Sequence, residues 1–332
     1  MLGFALLGAG RIGAMHAANL ARHPETRLVS VFDVNEHAAA QAAQDNGAVA
    51  AADVHAALGM AGVDAVLIAS ATDTHVDLII EASRAGKAVL CEKPIDLDIE
   101  RVEACKTALE QNNVPVQIGF NRRYDPNHRA VRDAVAAGDV GALELLVITS
   151  RDPGLAPVEY LRVSGGLFRD MMIHDFDLAR FVLGEEPVEV SAMGSVRVDE
   201  TVAELGDIDT AMVTLKTANG TLCHINNSRR AVYGYDQRLE AFGSEGMVIS
   251  DNVNASSVSR YTGAATAVRD PLPNFFIERY AEAYLLEIGD FVAAVEADRT
   301  PSVSFEDGRR ALLLANAALE SLNSGQVVRV AP

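Results

Sequence analysis

The feature that most constrains this chain is Gly8-Ala9-Gly10-Arg11-Ile12-Gly13, a G-x-G-x-x-G run between a short apolar segment and a helix-patterned one. Each glycine answers a steric demand. The first permits a tight turn, the second lets the backbone approach a pyrophosphate, and the third lets a helix pack closely on a strand. A helix that begins there offers free N–H groups and the positive end of its dipole to phosphates. Asp33 stands twenty residues after Gly13, at the end of the next strand-like segment, where a carboxylate can accept hydrogen bonds from a ribose. The same carboxylate repels a 2′-phosphate, and Val34 and Asn35 bring no cation to offset it, so NAD is expected rather than NADP. Gly8, Gly10, Arg11, Ile12, Gly13 and Asp33 are the expected cofactor-binding residues of this turn, with Arg11 reading equally as an exposed turn residue.

The rest of the first 120 residues extends that unit. Strand-like segments at 2–7, 28–32, 65–69, 88–91 and 114–120 alternate with helix-like ones at 11–22, 36–45, 74–85 and 99–111. In the first helix Ile12, Met15, Ala18 and Ala14 are expected to face inward. Alternation of this kind implies parallel strands with crossover helices, a doubly wound Rossmann sheet. After residue 120 the pattern changes. Helices are expected at 127–137 and 167–183, with strands at 143–149, 188–197, 210–217, 221–228, 238–243 and 247–250. Asn219-Gly220 is a strong hairpin signal between two of these strands. Helices at 276–297 and 305–321 and a strand at 327–330 follow. The expected architecture is α/β, with a dinucleotide-binding domain at 1–120 and a second domain at 121–332 built on a large, mainly antiparallel sheet. The last helices are free to pack back on the first domain.

Composition narrows the function classes. The chain of 332 residues has a formal charge of −18, spread along its length, which argues against nucleic acid or an anionic membrane surface as partner. No apolar run approaches the roughly 18 residues of a membrane span, and the first residues lack a signal-peptide pattern. The three cysteines, Cys91, Cys105 and Cys223, form no C-x-x-C pair, which suits a reducing compartment such as the cytoplasm.

Three segments carry reactive side chains. Cys91-Glu92-Lys93-Pro94 closes a parallel strand, at the sheet edge where open α/β proteins bind ligands. Gly119-Phe120-Asn121-Arg122-Arg123-Tyr124 lies where the pattern changes. In the run from Gly165 to Asp177, Asp170 and His174 stand four apart, on one face of the expected helix. That spacing could chelate a metal, but no H-E-x-x-H and no second histidine pair accompanies it, so no metal is expected. Ser70, Thr72 and His75 follow the fourth strand and are expected to line the cofactor groove, with a helix cap as the other reading of His75.

The segments GAGRIGAMHA, ATDTH, CEKPI, GFNRRYDP and GGLFRDMMIHDFDLARFVLGEEP resemble the glucose–fructose oxidoreductase/inositol dehydrogenase (Gfo/Idh/MocA) family. SRDP at 150–153 and YGYDQRLEAFGSEG at 233–246 resemble most its inositol-oxidising branch. Met172 stands where such enzymes often carry threonine, and Gly154-Leu155 replaces a proline-rich continuation. The resemblance implies oxidation of the axial secondary alcohol of myo-inositol to 2-keto-myo-inositol with NAD, in a homo-oligomer, most often a tetramer. It implies catalytic roles for Lys93, Asp170 and His174. A neutral histidine, whose reference pKa is about 6.5, can accept the hydroxyl proton, and a lysine on the same oxygen stabilises the developing negative charge. Asp170 either orients the substrate or fixes the histidine tautomer. Asn121, Arg122, Asp152 and Tyr235 are the expected partners of ring hydroxyls, together with Asp170 and His174; Glu92 is expected beside the cofactor. Other cyclic polyols (scyllo-inositol, chiro-inositol, glucose) and a non-catalytic NAD(H)-binding regulator are the alternatives.

Overall fold

In a computed structural model that describes residues 1–331, the chain forms two compact units. Met1–Asn121 and Tyr284–Leu312 make the first; Arg122–Ala283 and the segment from Leu313 make the second.

The first unit is built on six parallel strands: β1 (Leu2–Leu7), β2 (Thr26–Phe32), β3 (Val49–Ala50), β4 (Ala65–Ile68), β5 (Ala88–Cys91) and β6 (Val116–Ile118). Their order in the sheet is β3-β2-β1-β4-β5-β6. Helices α1 (Arg11–Arg22), α2 (Glu36–Asp45), α3 (Val54–Gly59), α4 (Thr72–Arg84) and α5 (Ile99–Leu109) make the crossovers. Strands β1, β4 and β5 are apolar and buried along their whole length, as strands covered on both faces must be. The order reverses between β1 and β4, so the connections leaving their paired carboxyl ends run to opposite sides, the place where such sheets hold a ligand crevice. Helix Ala281–Glu296 supplies Ile288, Phe291 and Val292 to this core, with Phe291 and Phe4 ring centroids 5.8 Å apart.

The inward face of α1 differs from the expected one. Gly13, His16, Ala17, Asn19 and Leu20 are buried, whereas Ala14 and Ala18 are exposed and Ile12 and Met15 half-buried. Gly13 sets this rotation. A Cβ there would strike the Gly8 carbonyl, so the helix can lie this close to the strand only with Gly13 against it. The residues three, four and seven positions on then follow inward.

The second unit carries a seven-stranded sheet. Strands β7 (Leu143–Arg151), β8 (Pro187–Ser195), β9 (Thr210–Thr217), β10 (Leu222–Ser228), β11 (Asp236–Gly243) and β12 (Gly246–Ser250) lie in the order β12-β11-β7-β10-β9-β8, and Val328–Arg329 adds the last edge. All neighbours are antiparallel except β7 and β10, whose carboxyl ends therefore emerge side by side. Gly220, at φ +99°, makes the turn between β9 and β10 that Asn219-Gly220 promised. Leu146, Ile148, Val213, Ile225 and Leu239 pack on Phe176 and Leu314 beneath one face of the sheet. The period of two leaves Leu145, Met193, Met212, Leu222, Phe242, Met247 and Ile249 exposed on the other.

The helix expected at 167–183 is two helices, Gly166–Asp170 and Ile173–Leu183. The Met171 and Met172 amides both donate to the Leu167 carbonyl, so the ladder skips a step and a new helix starts from Met172. Asp170 and His174 accordingly belong to different helices, and the four-residue spacing does not relate them as a continuous helix would.

Candidate active site

In the first unit the glycine turn has the geometry a pyrophosphate needs. Gly8 is left-handed, at φ +99°, and a Cβ on it would collide with the backbone of Ala69 and Ser70. A Cβ on Gly10, by contrast, would meet nothing within 4 Å, which leaves open space at the mouth of α1. That helix has no side-chain N-cap and no acid in its first turn, so its dipole and leading N–H groups are not opposed. Arg11 is exposed at the helix start and Ile12 half-buried behind it. Asp33 Oδ2 accepts from Ala9 N at 2.6 Å, and Oδ1 accepts from Asn35 N at 2.7 Å. One carboxylate thus pins the glycine turn to the end of β2, with lone pairs left for two ribose hydroxyls. These features fit NAD.

The neighbouring strand ends continue the same edge. Ser70 follows β4, its hydroxyl 2.7 Å from that of Thr74, and Thr72 opens α4. His75 is buried, with Nδ1 2.8 Å from the Pro94 carbonyl and Nε2 3.2 Å from the Ser70 carbonyl. Its ring therefore joins the loops after β4 and β5. Burial lowers its pKa against the pull of both carbonyls, which keeps it neutral. Glu92 lies just beyond β5. Its Oε1 is 2.7 Å from His16 Nε2, and Oε2 accepts from the Lys93 amide at 3.3 Å. Burial works to raise this carboxyl, but the hydrogen bond from His16 and the charge of Lys93 hold it below its ordinary value. Lys93 is half-buried on the same loop and precedes Pro94 through a cis peptide.

Asn121 is buried at the end of the first unit's leading segment, and Arg122 opens the second. Within that second unit Arg122 is buried. Its Nη1 donates to Asp175 Oδ1 at 2.5 Å and to the Ser150 hydroxyl at 3.2 Å, and its Nη2 to the Tyr235 hydroxyl at 3.4 Å. Burial opposes its charge, yet Tyr235, Tyr280, Asp175 and Asp152 hold it protonated. Tyr235 is buried, and that burial pushes its phenol far up, so it stays a donor. The carboxyl ends of the parallel pair β7 and β10 bring up Asp152 and Arg229, and the Asp152 amide donates to the Ser228 carbonyl at 3.0 Å. Arg229 is fully buried; its Nη1 donates to Asp170 Oδ2 at 3.2 Å, while Tyr160 donates to Asp170 Oδ1 at 2.7 Å. Burial pushes the Asp152 carboxyl up to about 6, with Arg229 and Arg122 pulling it down and Asp170 and Asp175 pushing it further up. His174 is half-buried, one residue inside helix Ile173–Leu183.

The second unit thus draws Arg122, Asp152, Asp170 and Tyr235 into one charged neighbourhood. Arg229, Tyr160, Asp175 and His16 belong to these networks and escaped the sequence reading. Only Asp175 had a local signal, as an acid inside an apolar helix.

An open parallel sheet, a glycine turn fitted to a pyrophosphate and a lysine on the same edge define an NAD-dependent oxidoreductase. Comparison with known proteins agrees. The family described as oxidoreductase family, NAD-binding Rossmann fold, matches residues 2–120, and the GFO/IDH/MocA C-terminal domain matches 128–249. The chain is 47% identical over 328 residues to the inositol 2-dehydrogenase of Rhizobium meliloti, covering 99% of each. It superposes on the myo-inositol dehydrogenase of Corynebacterium glutamicum with a TM-score of 0.96 at 47% identity, covering 100% of this chain and 99% of that one. The scyllo-inositol dehydrogenase of Lactobacillus casei, solved with bound NAD(H) and scyllo-inositol, gives 0.91 at 29% identity over 99% of each chain. The chain belongs to the Gfo/Idh/MocA oxidoreductase family.

Proposed function

We propose that this chain oxidises the axial secondary alcohol of myo-inositol to 2-keto-myo-inositol with NAD. The observation that carries the reading is the buried set Arg122, Asp170, Tyr235 and Arg229 with half-buried Asp152 beside it, rich in charged donors and acceptors. A ring bearing a hydroxyl on every carbon calls for such a set, because each unmatched buried hydroxyl costs about 1–3 kcal/mol. The inositol dehydrogenases similar along the whole chain favour an inositol over an open-chain alcohol.

His174 takes the hydroxyl proton, and Lys93 donates to the same oxygen and stabilises its negative charge. Asp170, held by Tyr160 and Arg229, stays an acceptor and orients the ring through a neighbouring hydroxyl. Arg122, Tyr235, Asn121 and Asp152 match further hydroxyls. When bound, NAD accepts the carbinol hydrogen as hydride at C4 of its nicotinamide. Three buried free thiols favour the cytoplasm. The exposed apolar face of the second sheet favours a homo-oligomer, with a tetramer as the family expectation.

Initial rates of NADH formation test the reading, measured with myo-inositol, scyllo-inositol, chiro-inositol and glucose. Myo-inositol is expected to give the highest kcat/KM. A preference for scyllo-inositol, the ligand of the Lactobacillus casei neighbour, would move the error to the hydroxyl-matching residues. No turnover of any ring polyol by a protein that binds NAD would refute the enzyme and favour a regulator.

A further inference from the structure

The first unit buries a carboxylic acid that the proposed chemistry does not use. Glu287, on helix Ala281–Glu296, is fully buried, and neither of its carboxyl oxygens has a hydrogen-bond partner. Among the described residues no cation is paired with it. Two other buried polar atoms of the same unit also lack partners, Gln117 Oε1 and His16 Nδ1. Four connections bring these groups together. Gln117 Nε2 donates to the Glu287 main-chain carbonyl at 3.2 Å. Tyr284, one turn before Glu287 on the same helix face, meets the His16 ring edge-on at 5.5 Å. His16 Nε2 is 2.7 Å from Glu92 Oε1, and Glu92 Oε2 accepts from the Lys93 amide. The charges that act on Glu287 are those of Glu92 and Asp290, both negative.

Counting donors and acceptors shows what this group must be. Glu92 is a carboxylate that accepts from His16 Nε2; with the ring neutral, Nδ1 is left an acceptor in need of a donor. Gln117 Oε1 is a second acceptor. An ionised Glu287 would add further acceptors and no donor, in a buried site facing two more negative charges, at a large desolvation cost. A protonated Glu287 supplies the missing O–H. We propose that Glu287 is a neutral acid and a positioning residue, linked directly or through enclosed water to His16 Nδ1 and so to the Glu92–Lys93 loop. It fixes the tautomer of His16, the histidine holds Glu92, and Glu92 holds the Lys93 amide. The consequence for turnover rests on the assignment of Lys93 above; the protonation state and the order of the loop do not.

The test compares Glu287→Gln, a neutral isostere that still donates, with Glu287→Leu, which fills the space without donating. In the wild-type protein, the infrared difference against Glu287→Gln should contain a protonated carboxyl C=O band at neutral pH. Amide hydrogen exchange across residues 92–93 should rise in Glu287→Leu and stay at the wild-type level in Glu287→Gln. With myo-inositol, Glu287→Leu should lower kcat by about tenfold to a hundredfold, the scale of a misplaced catalytic group, while the dissociation constant for NAD changes by less than about threefold because Asp33 and the glycine turn are untouched. Glu287→Gln should keep kcat. A carboxylate band, or equal losses of loop protection in both variants, overturns the proposal. So does a Glu287→Leu protein with normal loop exchange. Absence of dehydrogenase activity in wild-type protein would instead refute the function proposed above, and the infrared and exchange results would still decide this one.

Discussion

Asp33→Asn probes the cofactor site through a change of one atom. In the folded chain the carboxylate accepts from Ala9 N at 2.6 Å and from Asn35 N at 2.7 Å, so both oxygens already serve the turn. An amide keeps one acceptor and turns an N–H₂ towards the other backbone N–H, so one of these bonds is lost. Hydrogen bonds to the remaining oxygen fall from the charged class, worth about 1.5–3 kcal/mol, to the neutral class, worth about 0.5–1.5. Over the two ribose hydroxyls the loss is roughly 2–3 kcal/mol, or a rise of about thirtyfold to a hundredfold in the NAD dissociation constant. For NADP the substitution also removes a repulsion. At about 5 Å and an effective dielectric of 20 this is about 3 kcal/mol for each unit of phosphate charge. The ratio of kcat/KM for NAD over NADP should therefore fall by about a hundredfold or more, mainly through KM. Initial rates with both cofactors at fixed polyol measure it, with a melting curve to show that the fold survives. A ratio unchanged within about threefold, or near-equal use of NADP by the wild-type protein, would refute the role of Asp33.

Three further outcomes follow from burial and charge. The Asp152 carboxyl, raised to about 6, is protonated below that pH and ionised above it. The ionised form accepts hydroxyls more strongly, so kcat/KM for the polyol should rise by about tenfold as pH passes through 6, and Asp152→Asn should remove that limb; a limb that survives the substitution belongs to another group. Burial pushes the Cys105 thiol up to about 12 and the Cys91 and Cys223 thiols up as well, so a thiol reagent should leave all three unmodified in native protein at pH 8 and modify them on unfolding. Fast labelling of folded protein would contradict their burial. If the exposed face of the second sheet joins copies of the chain, Met212→Glu with Ile249→Glu should lower the mass measured by light scattering with little change in melting temperature. An unchanged mass would move the contact elsewhere.

What could be read from the sequence separates from what could not by the range of the interaction. The glycine turn, Asp33 and the Asn219-Gly220 hairpin were legible because a backbone conformation and its steric reason lie within a few residues. The face of α1 was misread for a related reason. Apolarity pointed to Ile12 and Met15, but the absent Cβ of Gly13 decides which side can approach β1, and this buries His16 and Asn19 instead. Helix 167–183 looked continuous because nothing in its pattern marks the shared Leu167 carbonyl where it breaks.

The residues that escaped the reading are those paired across long separations. Arg229 meets Asp170 from 59 positions away, and His16 meets Glu92 from 76. A buried charge must find its partner somewhere, and sequence does not say where. It can still say that a charge is buried. Glu287 stands in AYLLEIGDFVAAV, an apolar helix in which few positions tolerate an acid. An acid at a core position is either paired or neutral, and His16, the buried polar residue on α1, raises the same question at the other end of its link to Glu92. The two form one chain only in the folded unit, and of the pair only Glu287, an acid in an apolar helix, stood at a position that by itself required an explanation.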